Sequence, residues 1–201
     1  MAAAPTLAGC VPLDLFGITC VRCAPPDEVL SRLDVADLDS HPQFTEEEAI
    51  QHFGHGFETP AVRVYSSEGW TILLDVEAHG SLLQAPVLTG LSVGAEALSV
   101  WKLLDATTQI SHARDGELLA HFNAWTFEPA EGIDPSRLNR ALTDVGLFLD
   151  KNWESGEWSV PGMALLAVEQ EFGLVLPAEI VRGPLPTVSL QHLADRRCVG
   201  S

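Results

Sequence analysis

Residues 61–76 read Ala61-Val62-Arg63-Val64-Tyr65-Ser66-Ser67-Glu68-Gly69-Trp70-Thr71-Ile72-Leu73-Leu74-Asp75-Val76. A β-branched and aromatic run leads into a polar cluster that ends in glycine, and a second apolar run follows. Trp70, Ile72, Leu74 and Val76 share one face at period two, with Thr71 and Asp75 on the other, the pattern of a half-buried strand. A glycine-containing connection of this length predicts a β-hairpin. Residues 110–122 repeat the arrangement around Asp115-Gly116. Asp-Gly suits a type I′ turn, in which both central residues take positive φ. Beyond that turn Leu118, Ala120 and Phe122 alternate with Leu119, His121 and Asn123. Residues 97–103 and 16–22 predict two further strands, and the local connections predict antiparallel pairing. The expected fold class is α+β: a mainly antiparallel, twisted sheet of five to six strands, with helices packed largely on one face.

The helices are announced by their ends. Pro26 fits a first helical turn, where its missing N–H leaves nothing unsatisfied, and Asp27 and Glu28 suit the positive end of the helix dipole. Thr45 followed by Glu48 is a capping-box pair ahead of residues 46–53. Residues 86–91, 135–145, 161–172 and 177–181 predict four more short helices, the third closed by Gly173. Residues 1–12 read as a loose leader, 13–182 as one α+β domain, and 183–201, opened by Gly183-Pro184-Leu185-Pro186, as a tail.

The net charge is −17, from 28 acidic and 11 basic residues. So few cations argue against direct binding to nucleic-acid phosphates. The charge suits high solubility or a partner with a basic face. No apolar run approaches the ~20 residues that span a bilayer, so no membrane association is expected. The amino-terminal residues lack the basic start of a signal peptide, and a cytoplasmic location with reduced cysteines is expected.

Gly17-Ile18-Thr19-Cys20-Val21-Arg22, followed by Pro26-Asp27-Glu28-Val29-Leu30, resembles the opening of a family of small uncharacterised bacterial proteins, mostly actinobacterial. The family pattern is G-I-T-x-V-R and then P-E-E-V-L-x-R-L. Residues 94–100, the 113–116 turn, Phe122 and Asp134-Pro135-Ser136-Arg137-Leu138 resemble its middle, so the similarity covers about residues 15–182. The function of that family is unknown, and the resemblance implies no activity and no catalytic residue. Cys23 stands where the family pattern has glycine.

Cys20-Val21-Arg22-Cys23 has redox-motif spacing, but two prolines separate it from the next helix start, where a thiolate would be stabilised. His52 and His55 have the wrong spacing to complete a zinc finger with those cysteines. No metal or cofactor is indicated, and no nucleophile elbow, P-loop, zincin or dinucleotide fingerprint is present. The sequence therefore favours a non-enzymatic, cytoplasmic protein-interaction domain, such as an immunity or accessory protein of a bacterial conflict or regulatory system. Its partner would be a protein with a basic face. Trp153, Glu154, Glu157 and Trp158, an aromatic and acidic cluster between predicted helices, are the candidate partner-binding residues, because tryptophan is enriched at interface hot spots. The alternative is a small-molecule-binding domain or hydrolase with Asp75, His112 and His121 converging over the polar sheet face.

Overall fold

The computed structural model describes residues 7–54, 59–103, 107–148 and 159–198. The chain runs β1 (Leu15–Arg22), α1 (Pro26–Arg32), β2 (Gln43–Phe44), α2 (Glu46–Phe53), β3 (Ala61–Ser67), β4 (Trp70–Asp75) and α3 (Ala85–Leu91). It continues through β5 (Glu96–Leu103), β6 (Gln109–Arg114), β7 (Glu117–Asn123), α4 (Ser136–Asp144), α5 (Val160–Phe172), α6 (Ala178–Arg182), β8 (Leu185–Ser189) and α7 (Gln191–Cys198). The strands form one sheet in the order β2-β8-β3-β4-β1-β5-β6-β7, and every pairing is antiparallel. The fold is α+β.

Both hairpins turn on two residues. Glu68 and Gly69 have φ of 49° and 84°, and Asp115 and Gly116 have 52° and 85°. Positive φ at both positions gives the twist that matches the flanking strands. Ser66 and Ser67 therefore belong to β3, paired with Thr71 and Trp70. At α2, Thr45 accepts from the Glu48 N–H while the Glu48 carboxylate accepts from the Thr45 N–H, so the capping box forms.

The sheet is larger than the expected five to six strands, and helices cover both of its faces instead of one. On the first face Ile18, Cys20, Ile72, Leu74, Leu98, Ile110 and Phe122 pack with Leu138 and Leu142 of α4 and Leu165 and Val168 of α5. On the second, Val21, Leu73, Ala97 and Ala113 pack with Val29 and Leu30 of α1 and Leu88 and Leu91 of α3. The sequence carries the reason in β4, where Leu73 interrupts the alternation and demands cover on the second side. Each fully buried Leu or Phe of this kind contributes about 1.5–3 kcal/mol. A bulge adds a further change of face. His112 pairs with Ala120 but Ala113 with Leu118, so Leu119 has no cross-strand partner. Leu118 consequently packs into the second core while Ala120 and Phe122 face the first.

The stretch read as a tail contains β8, which lies between β2 and β3 with Val62 opposite Val188 and Phe44 opposite Leu185. Pro186 disguises the strand, but its partner there is the two-residue β2, where a missing donor matters least. The stretch read as a leader contributes Leu7, 2 % exposed, whose N–H donates to the Glu169 carboxylate of α5. Among the described residues no helix is long and apolar enough to cross a membrane.

A chain ending at Arg182 strips β3 of its outer neighbour. It is expected to lose cooperative thermal unfolding, followed by circular dichroism. A truncated chain that melts within a few degrees of the full chain would show that β8 is dispensable.

Candidate functional site

Cross-strand register assembles the largest polar network. Trp70, Arg22, Glu96 and Arg114 form one row across β4, β1, β5 and β6. Glu96, 7 % exposed, lies at its centre. Its carboxylate accepts from Arg114 Nη2 at 2.5 Å, from Arg137 Nη1 at 2.7 Å and from His112 Nε2 at 3.0 Å, with Arg22 Nη1 at 3.9 Å. Arg137 of α4 reaches on to Glu171 of α5 at 2.7 Å and stacks 4.2 Å above the Phe172 ring. Arg140 pairs with Glu171 as well. His112 meets Phe172 edge-on, and its Nδ1 is buried without a partner.

Burial alone would raise the Glu96 carboxyl. Hydrogen bonds from His112 and Arg114 and the field of Arg137 outweigh it and hold the group at about 2. All three close donors sit on Oε1, and Oε2 has Arg22 at 3.9 Å. The network is a clamp between sheet and helices, and it draws in His112.

Asp75 and His121 share the opposite face. Thr19, Ser99, Ser111 and His121 form a row with Leu73, and Asp75 lies two residues beyond Leu73 on β4. In that row Thr19 bonds Ser99 at 2.9 Å and Ser111 bonds His121 Nδ1 at 2.9 Å. Burial pulls the His121 imidazole down, while Glu131 pulls it up. Asp75 lies over Gly17, where an added Cβ would come within 2.3 Å of its Oδ2, and accepts from the Gly80 N–H at 3.2 Å. Burial pushes its carboxyl up to about 6, against that hydrogen bond. Four strand spacings of about 4.8 Å put Asp75 and His121 roughly 19 Å apart. The site expected from Asp75, His112 and His121 therefore does not assemble: two of them are too far apart, and the third faces the other core.

The C-x-x-C pair is not an activated dithiol. Cys20 is buried and its thiol is pushed up to about 12, the reverse of an activated thiol, while Cys23 is exposed. Among the described residues no group of three or more His, Cys, Asp or Glu side chains could hold a metal ion.

Trp153, Glu154, Glu157 and Trp158 lie outside the described residues. A second aromatic and acidic segment, residues 124–130, leaves the end of β7. The chain returns at Glu131, whose backbone exchanges hydrogen bonds of 2.7 and 2.9 Å with His121. Asn139 of α4 holds the loop's base, accepting from the Ala130 N–H at 2.6 Å and donating to the Ala130 carbonyl at 3.0 Å. Trp125 N–H donates to Asn123 Oδ1 at 3.0 Å. Trp125 is nevertheless 77 % exposed. On one side of the loop is a groove of about 220 Å³ lined by Trp125, Phe127, Lys102, Val160 and Pro161. On the other is a polar hollow of about 180 Å³ lined by His121, Asn123, Glu128 and Glu131. The sequence signal for this site was Trp125, a large aromatic next to a loop rich in Glu and Pro.

Glu96 and Asp75 act oppositely on stability. Glu96 has a folded pKa below its unfolded one, so its contribution is present above about pH 4.5 and lost as pH falls toward 2. After allowance for solvent screening near Arg22 and Arg114 it amounts to about 2 kcal/mol. Asp75 binds its proton more tightly in the folded state, so stability falls as pH rises from about 4 to about 6. Asp75→Asn is expected to be the more stable protein at pH 7, by about 2 kcal/mol, and to lose that slope. Glu96→Gln is expected to lose the acid-side slope. Urea unfolding across pH 3–8 measures both, and parallel profiles for wild type and variants would refute the assignments.

No curated protein and no solved structure matches the chain. A family model, described as a family of unknown function (DUF6461), matches residues 14–173. That span takes in β1 through α5, with the Glu96 clamp and the Trp125 loop, and the chain belongs to this family.

Proposed function

We propose that this chain is a non-enzymatic, cytoplasmic protein-interaction domain of bacterial, actinobacterial origin. It docks a partner with a basic face, in the manner of an immunity or accessory protein of a conflict or regulatory system. The observation that carries this reading is the 124–130 loop. It presents Trp125 to solvent from a base fixed by Asn139 and Glu131, between an apolar groove and two carboxylates. A loop backbone already held in place loses little conformational entropy on binding, and buried tryptophan anchors dominate interface energies. Glu128 and Glu131 beside it suit Arg or Lys on the partner, and the net charge of −17 would steer association with a basic surface. Trp153 and Trp158 precede Val160 of the groove in sequence.

The second reading, a small-molecule-binding domain or hydrolase, keeps one supporting observation. Asp75 is a carboxyl whose pKa of about 6 is near neutrality, as an acid–base group requires.

Trp125→Ala is expected to leave unfolding free energy within about 0.5 kcal/mol of wild type, because the side chain is exposed. It is expected to weaken binding of a basic partner at least about 30-fold, the effect of losing a hot-spot tryptophan. Tagged wild-type and variant proteins, compared by quantitative pull-down from the native host at low and high salt, measure this. A stoichiometric basic protein held only by wild type and released by salt supports the reading. Equal retention by both proteins, or recovery of monomer alone, would sink it.

A further inference from the structure

Arg63 lies in the middle of the sheet and is 3 % exposed. It faces the same side as its cross-strand neighbours Leu74 and Thr187. Its Nη1 donates to the Val181 carbonyl and its Nη2 to the Gly183 carbonyl, each at 2.5 Å, while Nε has no partner. Among the described residues no carboxylate forms an ion pair with it. Burial lowers the guanidinium pKa, and the field of Glu46 at the start of α2 raises it. Carbonyl dipoles do not neutralise a cation, and Glu46 acts on it through its field without a direct ion pair, so the buried charge is only partly compensated.

Arg63 is also part of the wall of a cavity of about 70 Å³. Glu46 is part of the same wall, and Val11, Phe16, Leu74 and Val181 make much of the rest apolar. In this measure one water needs about 10–15 Å³, so the space suits about five to seven non-hydrogen atoms. Water filling it would meet a mostly apolar wall and few polar partners beyond Arg63 and Glu46. Asp75 contributes to the wall, but strand alternation turns its side chain away from Arg63, because its neighbour Leu74 shares the Arg63 face.

We propose that this cavity binds the carboxylate of a short aliphatic monocarboxylic acid, with the charge against Arg63 and the hydrocarbon tail against the apolar wall. A planar carboxylate matches the guanidinium. The tail takes the place of poorly bonded water. Glu46 would repel a second negative charge and so selects against dicarboxylates. The site lies apart from the Trp125 loop and does not depend on the interaction reading.

The test uses the full chain and sodium propionate, with ionic strength held constant by sodium chloride. Thermal unfolding and NMR of ¹³C-labelled propionate are followed together. Ligand binding to the folded state raises Tm in a saturable way set by the ratio of ligand concentration to Kd. Propionate is expected to do this, and propionamide, which lacks the charge, is not. Val11→Phe fills the cavity while leaving Arg63 in place, and is expected to weaken propionate binding at least ten-fold. Arg63→Met is expected to do the same, and Val11→Phe decides the matter should Arg63→Met fail to fold. Propionate acting no differently from chloride would overturn the site. So would equal binding of propionamide, or unchanged affinity in Val11→Phe.

Discussion

The Glu96 carboxylate is where sheet and helices are fixed to one another. It is set at the first residue of β5, next to β1 and β6; its hydrogen-bond donors come from β6 and α4, and Arg22 of β1 adds a cation at 3.9 Å. Arg137 carries the connection onward to α5 through Glu171 and Phe172. Apolar burial supplies the bulk of the stabilisation, but it is non-directional, and leucines alone leave helices free to slide. Charge-assisted hydrogen bonds with fixed geometry remove that freedom. The cost of an unpaired Glu96 at this depth makes the arrangement all-or-none.

Local signals were legible in the sequence and long-range ones were not. The first hairpin was placed, but its turn is two residues, not the four of Ser66-Ser67-Glu68-Gly69. The Asp115-Gly116 turn and the Thr45–Glu48 cap depend on neighbouring residues alone, and they read correctly. The bulge at Leu119 does not, because nothing in Glu117-Leu118-Leu119-Ala120 states which leucine lacks a partner until β6 is beside it. β8 was hidden by Pro184 and Pro186 at its start, and the second helical layer by the alternation that surrounds Leu73. The candidate site fared likewise. Asp75 and His121 do share a face, yet the strand order that separates them is a property of topology. Glu96 gave no sign of its importance, since its partners are as distant as Arg137. Trp125 was visible as an aromatic in a loop, although its exposure and its anchoring by Asn139 were not.

The clamp also shapes the protein's exterior. Arg22, Arg114, Arg137 and Arg140 are four of the eleven basic residues, and all are engaged with Glu96 or Glu171. Arg63 is a fifth, enclosed beneath α6. Few cations remain to offset the carboxylates elsewhere, so the acidity met by an approaching partner exceeds what the net charge spread evenly would give. An internal structural requirement thereby contributes to the long-range field that steers association.

β8 has a consequence for the chain's birth on the ribosome. β1, β4, β5, β6 and β7 are joined by pairings that become possible once residue 123 has emerged. β3 then presents an open edge, and the segment that closes it is the last strand to be synthesised. The hydrogen bonds from Arg63 to Val181 and Gly183 bridge 118 and 120 residues. Contacts of such separation form slowly, because a long loop must close before they reward it. The nascent chain therefore passes through a stage with most of its sheet assembled and one flank unprotected. This is when edge-to-edge pairing between neighbouring polysomal chains is most favoured.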